Sequence, residues 1–221
     1  MHDDSARSNQ PLAQRRRLIT GLATGVAGMA VPGWLAAAGL PSMTAGPFYP
    51  SPEYRARQLD WDADLTRVGT GPGRAAGEWL DLVGTVVDRQ GRIIDRAEIE
   101  IWQCDVHGSY RHPRGAGARV DEAFQGFGSS VADAQGRYRF RTIKPAPYPG
   151  RTPHIHVRLR HPSFGEFTSQ LFVDGEPANA GDFLFRQMSA DEREAAMLRL
   201  ARAPADAGVK WLAERPLVVP V

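Results

Sequence analysis

His154 and His156 stand one residue apart in Pro153-His154-Ile155-His156. Along an extended strand, residues i and i+2 project from the same face, so both imidazoles can address one metal ion while Ile155 points away. Imidazole suits iron, copper, zinc and nickel, and the pair alone does not choose among them. Tyr148 precedes the pair in a proline-rich turn, Pro145-Ala146-Pro147-Tyr148-Pro149-Gly150, and Tyr110 lies upstream in Gly108-Ser109-Tyr110-Arg111. A phenolate is a hard anionic donor that favours a ferric ion. The four residues together are therefore a candidate set of two phenolates and two imidazoles. Taken singly, each tyrosine reads as an aromatic packed at a rim with its hydroxyl in water.

Other chemistries find less support. The single cysteine, Cys104, excludes an internal disulfide, a zinc–cysteine cluster and an iron–sulfur site. It reads as a small, buried, inert strand residue. A zinc or copper hydrolase built on His154 and His156 lacks an obvious third histidine or carboxylate. His107, His112 and His161 read as loop or surface residues. The formal charge of +2 is near balance, and no basic run is interleaved with aromatics, so no nucleic-acid partner is expected.

The elements that must position these residues read as β-strands. Glycine (23) and proline (17) mark many turns. Leu80–Val87, Ala97–Cys104, Tyr138–Ile143, His154–Arg160 and Thr168–Val173 carry the strand signals, and Pro216–Val221 reads as an edge strand. In the second, Ile99, Ile101 and Gln103 share one face, while Glu98, Glu100 and Trp102 share the other. Residues 41–77 read as a long irregular wrap. Ser189-Ala190-Asp191-Glu192 is a capping box expected to open one helix over Asp191–Ala203, with Met197, Leu198 and Leu200 on its apolar face. The fold class is all-β: a β-sandwich core of mostly antiparallel strands, with long loops and one C-terminal helix.

The stretch from Leu82 to Asp174 resembles the catalytic core of the intradiol ring-cleavage dioxygenases, the protocatechuate 3,4-dioxygenase type in particular. The resemblance rests on Thr44-Ala45-Gly46-Pro47-Phe48-Tyr49, Glu100-Ile101-Trp102-Gln103-Cys104-Asp105, Gly108-Ser109-Tyr110-Arg111, Phe140-Arg141-Thr142-Ile143-Lys144-Pro145-Ala146-Pro147-Tyr148-Pro149, Arg151-Thr152-Pro153-His154-Ile155-His156 and Ser169-Gln170-Leu171-Phe172. It implies a non-haem ferric ion held by Tyr110, Tyr148, His154 and His156, with Tyr148 and His156 axial. It implies that a catechol-type diol and O2 are the substrates and a cis,cis-muconate the product. Arg151 is implied to stabilise negative charge developing on the substrate ring, with Gln170 beside it and Tyr148 accepting a substrate proton. Two positions depart from the family pattern. Gly150 stands where protocatechuate enzymes often carry tryptophan, and Ser129 where an arginine is common. Both bear on the pocket, and which catechol is taken is open, as is the oligomeric state.

Gln14-Arg15-Arg16-Arg17-Leu18 ahead of a mildly apolar, glycine-rich run resembles a twin-arginine export signal, with Ala36-Ala37-Ala38 as a cleavage site. Residues 1–38 are therefore expected to be a signal or disordered tail and 39–221 the catalytic domain, without a stable membrane span once mature. The expected location is periplasmic or exported, or membrane-tethered if the signal is not cleaved. The competing reading is an exported, non-catalytic, transthyretin-like binding module, suggested by Val83-Gly84-Thr85-Val86-Val87-Asp88 and its glycine turns. Such a module has no use for Tyr110, Tyr148, His154 and His156 together.

Overall fold

Among the described residues, alternating apolar residues build two five-stranded sheets. A computed structural model describes residues 38–221 apart from Leu59 and Ala116, so the segment read as an export signal lies outside the described residues, save for Ala38. In the first sheet, β1 (Trp79–Asp88) is central. It pairs antiparallel with β4 (Arg137–Ile143), and parallel with β9 (Trp211–Glu214) along Leu80–Val83 and with β10 (Leu217–Val219) along Val86–Asp88. The two-residue β8 (Ala201–Arg202) pairs with β9.

The second sheet runs β3 (Phe127–Val131), β2 (Glu98–Trp102), β5 (His154–His161), β6 (Gly165–Val173) and β7 (Met197–Leu198). Its pairs are antiparallel except β6–β7. Register places His156 between Trp102 on β2 and Gln170 on β6. Period-two alternation then divides the sheet's faces. Ile99, Ile101, Ile155, Val157, Leu159 and Leu171 join Leu80, Leu82, Val86 and Phe140 of the first sheet in one buried cluster. His154, His156, Gln170 and Trp102 occupy the opposite face.

The wrap over residues 41–77 contains one short helix, α1 (Pro52–Arg55). It is otherwise tied down by backbone bonds, from Met43 N to Thr168 O on β6 and from Leu65 N to Arg141 O on β4. Gln103 links the two sheets, donating to Ile143 O (3.2 Å) and accepting from Thr142 Oγ1 (2.9 Å). Among the described residues no helix is long and apolar enough to cross a membrane.

The C-terminal helix departs from the expectation. The capping box is present, with Ser189 Oγ accepting from Glu192 N (3.2 Å) and Glu192 accepting from Ser189 N (2.8 Å). The helix, α3, ends after Ala190–Ala196. Met197 and Leu198 leave it to pair with Phe172 and Val173 at the edge of β6. An open sheet edge offers unpaired backbone groups, and satisfying them outweighs continuing a surface helix. A second short helix, α2 (Phe183–Gln187), follows a 3-10 turn over Pro177–Gly181. Ala201–Arg202, also inside the expected helix, instead form β8 against β9, and β3 and β9 fall outside the expected strands.

Candidate active site

Four segments converge on the outer face of the second sheet. Strand β5 supplies His154 and His156, both almost fully buried. His154 Nδ1 lies 2.6 Å from Thr152 O. A carbonyl only accepts, so Nδ1 carries the proton and the Nε2 lone pair is left to face the site. His156 is fixed by Trp102, whose ring stacks on it at 4.7 Å with planes 5° apart. A Cβ on Gly46, in the Thr44–Tyr49 strap, would come 3.6 Å from Cε1 of the same imidazole.

Tyr110 arrives on the loop after β2. The Asp105 carboxylate shapes that loop, accepting from His107 N (2.8 Å), Ser109 N (2.9 Å) and Asp121 N (2.8 Å). Gly108, with φ of 80°, brings the loop close enough to the Tyr148 segment that a Cβ would sit 3.0 Å from Pro147 O. Cys104, just before the loop, is buried and its Sγ donates to Ala146 O at 3.2 Å. Burial pushes its thiol up to about 12, with Asp105 adding to the shift, so it stays protonated and inert.

Tyr148 and Arg151 bracket a tight turn. Arg151 N donates to Tyr148 O at 2.9 Å, Pro149 holds the second position, and Gly150 the third with φ of 80°. That is the arrangement of a type II turn, which wants proline and then glycine at those places. Gly150 is thus explained by the backbone of the turn, and a Cβ there would meet nothing within 4 Å.

These residues meet. Tyr110 Oη lies 3.5 Å from His154 Nε2, which lies 3.2 Å from His156 Nε2. The Tyr148 ring stands edge-on to Tyr110 at 5.5 Å and 5.6 Å from the His154 ring. Arg151 donates from Nη1 to Tyr148 Oη (3.3 Å) and from Nη2 to Gln170 Oε1 (2.5 Å). All six residues singled out from sequence therefore share one site. His107 is exposed, and His112 and His161 are partly so.

The donor set fits a cation. Burial, and then the neighbouring Cys104 and Tyr148, holds the Tyr110 phenol well above its usual range. Burial drives His154 down to about 4, helped by Arg151, and burial, His154 and Arg151 hold His156 well below the usual histidine range. Without a cation the cluster is neutral and in conflict with itself. If His156 carries its proton on Nε2, its buried Nδ1 is left as an unused acceptor. If it carries the proton on Nδ1, that donor lacks a partner among the described residues, and two Nε2 lone pairs face each other. An unmet buried polar group costs about 1–3 kcal/mol. A cation shared by the two Nε2 atoms uses both lone pairs, and a nearby positive charge favours the phenolate form of tyrosine. Among the described residues no cluster of three His, Cys, Asp or Glu could hold a metal. Any ligand set here must draw on the tyrosines.

Sequence reasoning missed Asp182. Its buried carboxylate accepts from Arg151 Nε at 2.7 Å across 31 residues of chain. Burial works to raise its carboxyl, but the Arg151 hydrogen bond and the N–H groups of Phe185 and Thr152 win and hold it below the usual range. The local signal was its place before Phe183-Leu184-Phe185, a helix N-cap. Nothing local pointed to Arg151.

The Dioxygenase family matches residues 49–203, more than two-thirds of the chain. The beta chain of protocatechuate 3,4-dioxygenase from Burkholderia cepacia is 36% identical over 146 residues, covering 62% of this chain and 62% of that one. Hydroxyquinol 1,2-dioxygenase from Corynebacterium glutamicum is 31% identical over 159 residues, covering 63% of this chain and 48% of the relative. This chain thus spans less than two-thirds of either. Among solved structures, the dioxygenase domain of a dioxygenase–carbohydrate-binding fusion from Streptomyces sp. SirexAA-E aligns with a TM-score of 0.61 at 27% identity, over 83% of this chain and 99% of that domain. The chain belongs to the intradiol ring-cleavage dioxygenase family.

Proposed function

We propose that this protein is a non-haem ferric dioxygenase that cleaves a catechol-type diol between its two hydroxyl-bearing carbons with O2, giving a cis,cis-muconate. One observation carries the reading: Tyr110 Oη and the Nε2 atoms of His154 and His156 converge at 3.5 and 3.2 Å, with Tyr148 and Arg151 beside them. Two phenols and two imidazoles with this burial match a trivalent, oxygen-loving ion better than zinc or copper. Relatives named for protocatechuate, hydroxyquinol and catechol support the substrate class.

Tyr110, Tyr148, His154 and His156 would hold the iron, which when bound supplies a Lewis-acid template for the two diol oxygens. The chain's own residues do the rest. Thr152 O locks the His154 tautomer, and the stacked Trp102 ring fixes the plane of His156. Tyr148 is only half-buried, and its Oη, held as the phenolate when the ion is bound, would take one of the two protons the incoming diol gives up, the other leaving to solvent. Arg151, with Nη1 on that same oxygen, offers fixed positive charge where the ring becomes electron-rich. Phe48, from the Thr44–Tyr49 strap, packs its ring 4.8 Å from that of Tyr110 and covers one side of the site.

The two sheets around one core are read as a β-sandwich, and residues 1–38 as a twin-arginine signal that exports the folded enzyme. A non-catalytic module leaves this polar cluster without a purpose. The test is iron analysis with a visible spectrum and oxygen uptake over a panel of catechols. One iron per chain, a tyrosinate charge-transfer colour and uptake with at least one diol are expected. A colourless protein with full iron, or no uptake with any diol, overturns the reading. Export is tested by fractionating cells that carry Arg15→Lys with Arg16→Lys, which should retain the protein in the cytoplasm.

A further inference from the structure

Asp182 is the most heavily used side chain near the site, and the steps above give it no part. Its carboxylate is buried and each oxygen accepts two donors. Oδ2 takes Arg151 Nε (2.7 Å) and Thr152 N (3.1 Å), and Oδ1 takes Leu184 N (3.0 Å) and Phe185 N (3.1 Å). The same group caps α2 and anchors Arg151. A second bolt lies beside it. Asn179 accepts from Thr152 Oγ1 (2.8 Å) and donates to Val173 O (2.9 Å). Segment 177–187 is thereby fastened to the two residues that lead into His154. Phe183, half-exposed, covers the guanidinium with its ring centre 5.4 Å from Cζ.

We propose that Asp182 is a positioning residue, which with Gln170 holds one edge of the Arg151 guanidinium so that the Nη1 edge faces Tyr148 Oη and the reacting ring. This rests on the ferric dioxygenase reading. A guanidinium is a planar fork on a long flexible stem, and its charge helps a transition state only when its direction is set beforehand. Nε and Nη2 form one edge of that fork, and both are taken, by Asp182 and by Gln170. Only Nη1 is left to face the reaction. Gln170 is a neutral acceptor at Nη2, whereas both partners of the Asp182 bond are charged, so Asp182 is the stronger restraint. The carboxylate on the rear edge offsets part of the arginine's charge. Rigidity at that electrostatic cost suits a group that must point rather than merely attract.

The decisive variant is Asp182→Ser. Serine still caps α2 but is too short to reach Arg151 Nε. Two readouts separate positioning from mere structure. The first is solvent exchange of the Arg151 Nε–H by nitrogen-15 NMR on the metal-free protein, which needs neither iron nor substrate. The second is kcat and KM for a turned-over diol in the iron-loaded enzyme. The expected result is a near-native melting temperature, an unprotected Nε–H, and a kcat lower by roughly tenfold to a hundredfold, the penalty of misplacing a catalytic group by about an ångström. KM should move much less. Asp182→Thr, another N-cap residue too short to reach Arg151 Nε, should behave alike if the serine variant does not fold. The proposal is overturned by a free-exchanging Nε–H in the wild-type protein, or by a folded variant with protected Nε–H or unchanged kcat. If the wild-type enzyme consumes no O2 with any diol, the functional reading fails and the exchange measurement still decides the anchor.

Discussion

Strand β5 presents two buried faces that are buried for different reasons. Ile155, Val157 and Leu159 point inward and meet apolar residues of both sheets. His154 and His156 point outward and are almost as well hidden, at 1% and 3% exposure. The inner face is covered by any chain that keeps its alternation, since apolar burial is non-directional. The outer face needs particular partners from distant stretches: Gly46 in the wrap, Trp102 and Tyr110 around the end of β2, Tyr148 in a turn, and Phe172 on β6. One face is a matter of pattern and the other of placement, so the two should fail in different ways.

The largest separation comes from His156→Ala against Ile155→Ala. His156→Ala removes one of two facing Nε2 atoms, so iron retention and turnover should both be lost while the protein still folds. Metal analysis beside circular dichroism checks this, and full iron with normal turnover would remove His156 from the ligand set. Ile155→Ala should cost about 2–5 kcal/mol in denaturant unfolding, the usual range for emptying a packed site. The folded fraction should still take up iron, because the neighbouring imidazoles face away from the cavity.

Acid sharpens the same contrast. His154 is held down to about 4 in the folded chain, against about 6.5 when unfolded. Between those values the unfolded chain binds the extra proton, so stability is full above the unfolded value and falls as pH drops through the window. The expected loss for His154 in metal-free protein is roughly 3 kcal/mol, and His156 adds to it in the same direction. Ile155→Ala should shift the whole stability curve down without changing its slope between pH 4 and 6.5. A slope that flattens in Ile155→Ala would mean the two faces are not independent.

The same division governs how much was legible in the chain. Strands β1, β2, β4, β5 and β6 announce themselves because period-two alternation is written locally. The histidine pair is legible for the same reason, since its shared face follows from spacing. What escaped is non-local. Met197 and Leu198 are good helix residues, and only the open edge of β6 turns them into a strand. Trp211–Glu214 is too short to alternate visibly and is a strand because β1 lies beside it. Asp182 reads as a helix cap, and its bond to Arg151 exists only once segment 177–187 folds over the site. The φ of 80° that suits Gly150 belongs to a turn closed by Arg151 N and Tyr148 O, and it is visible only once that turn is folded.

That last point yields the smallest and most selective test. Gly150 has φ of 80°, and a Cβ placed on it meets nothing within 4 Å. Conformation therefore selects glycine here, and room does not. Gly150→Ala should cost roughly 1–2 kcal/mol, the strain of an L-residue in the left-handed region. Gly150→Trp should cost about the same, because the larger side chain projects into open space. Both variants should keep their iron, since residue 150 is not itself a ligand and the strain is spread over the whole turn. Equilibrium unfolding of the two variants side by side is enough. A tryptophan variant several kcal/mol worse than the alanine one would show that the turn packs against something and that space, too, is under constraint. An alanine variant that folds normally but loses iron would show that this turn sets the position of Tyr148 far more tightly than a solvent-facing loop should.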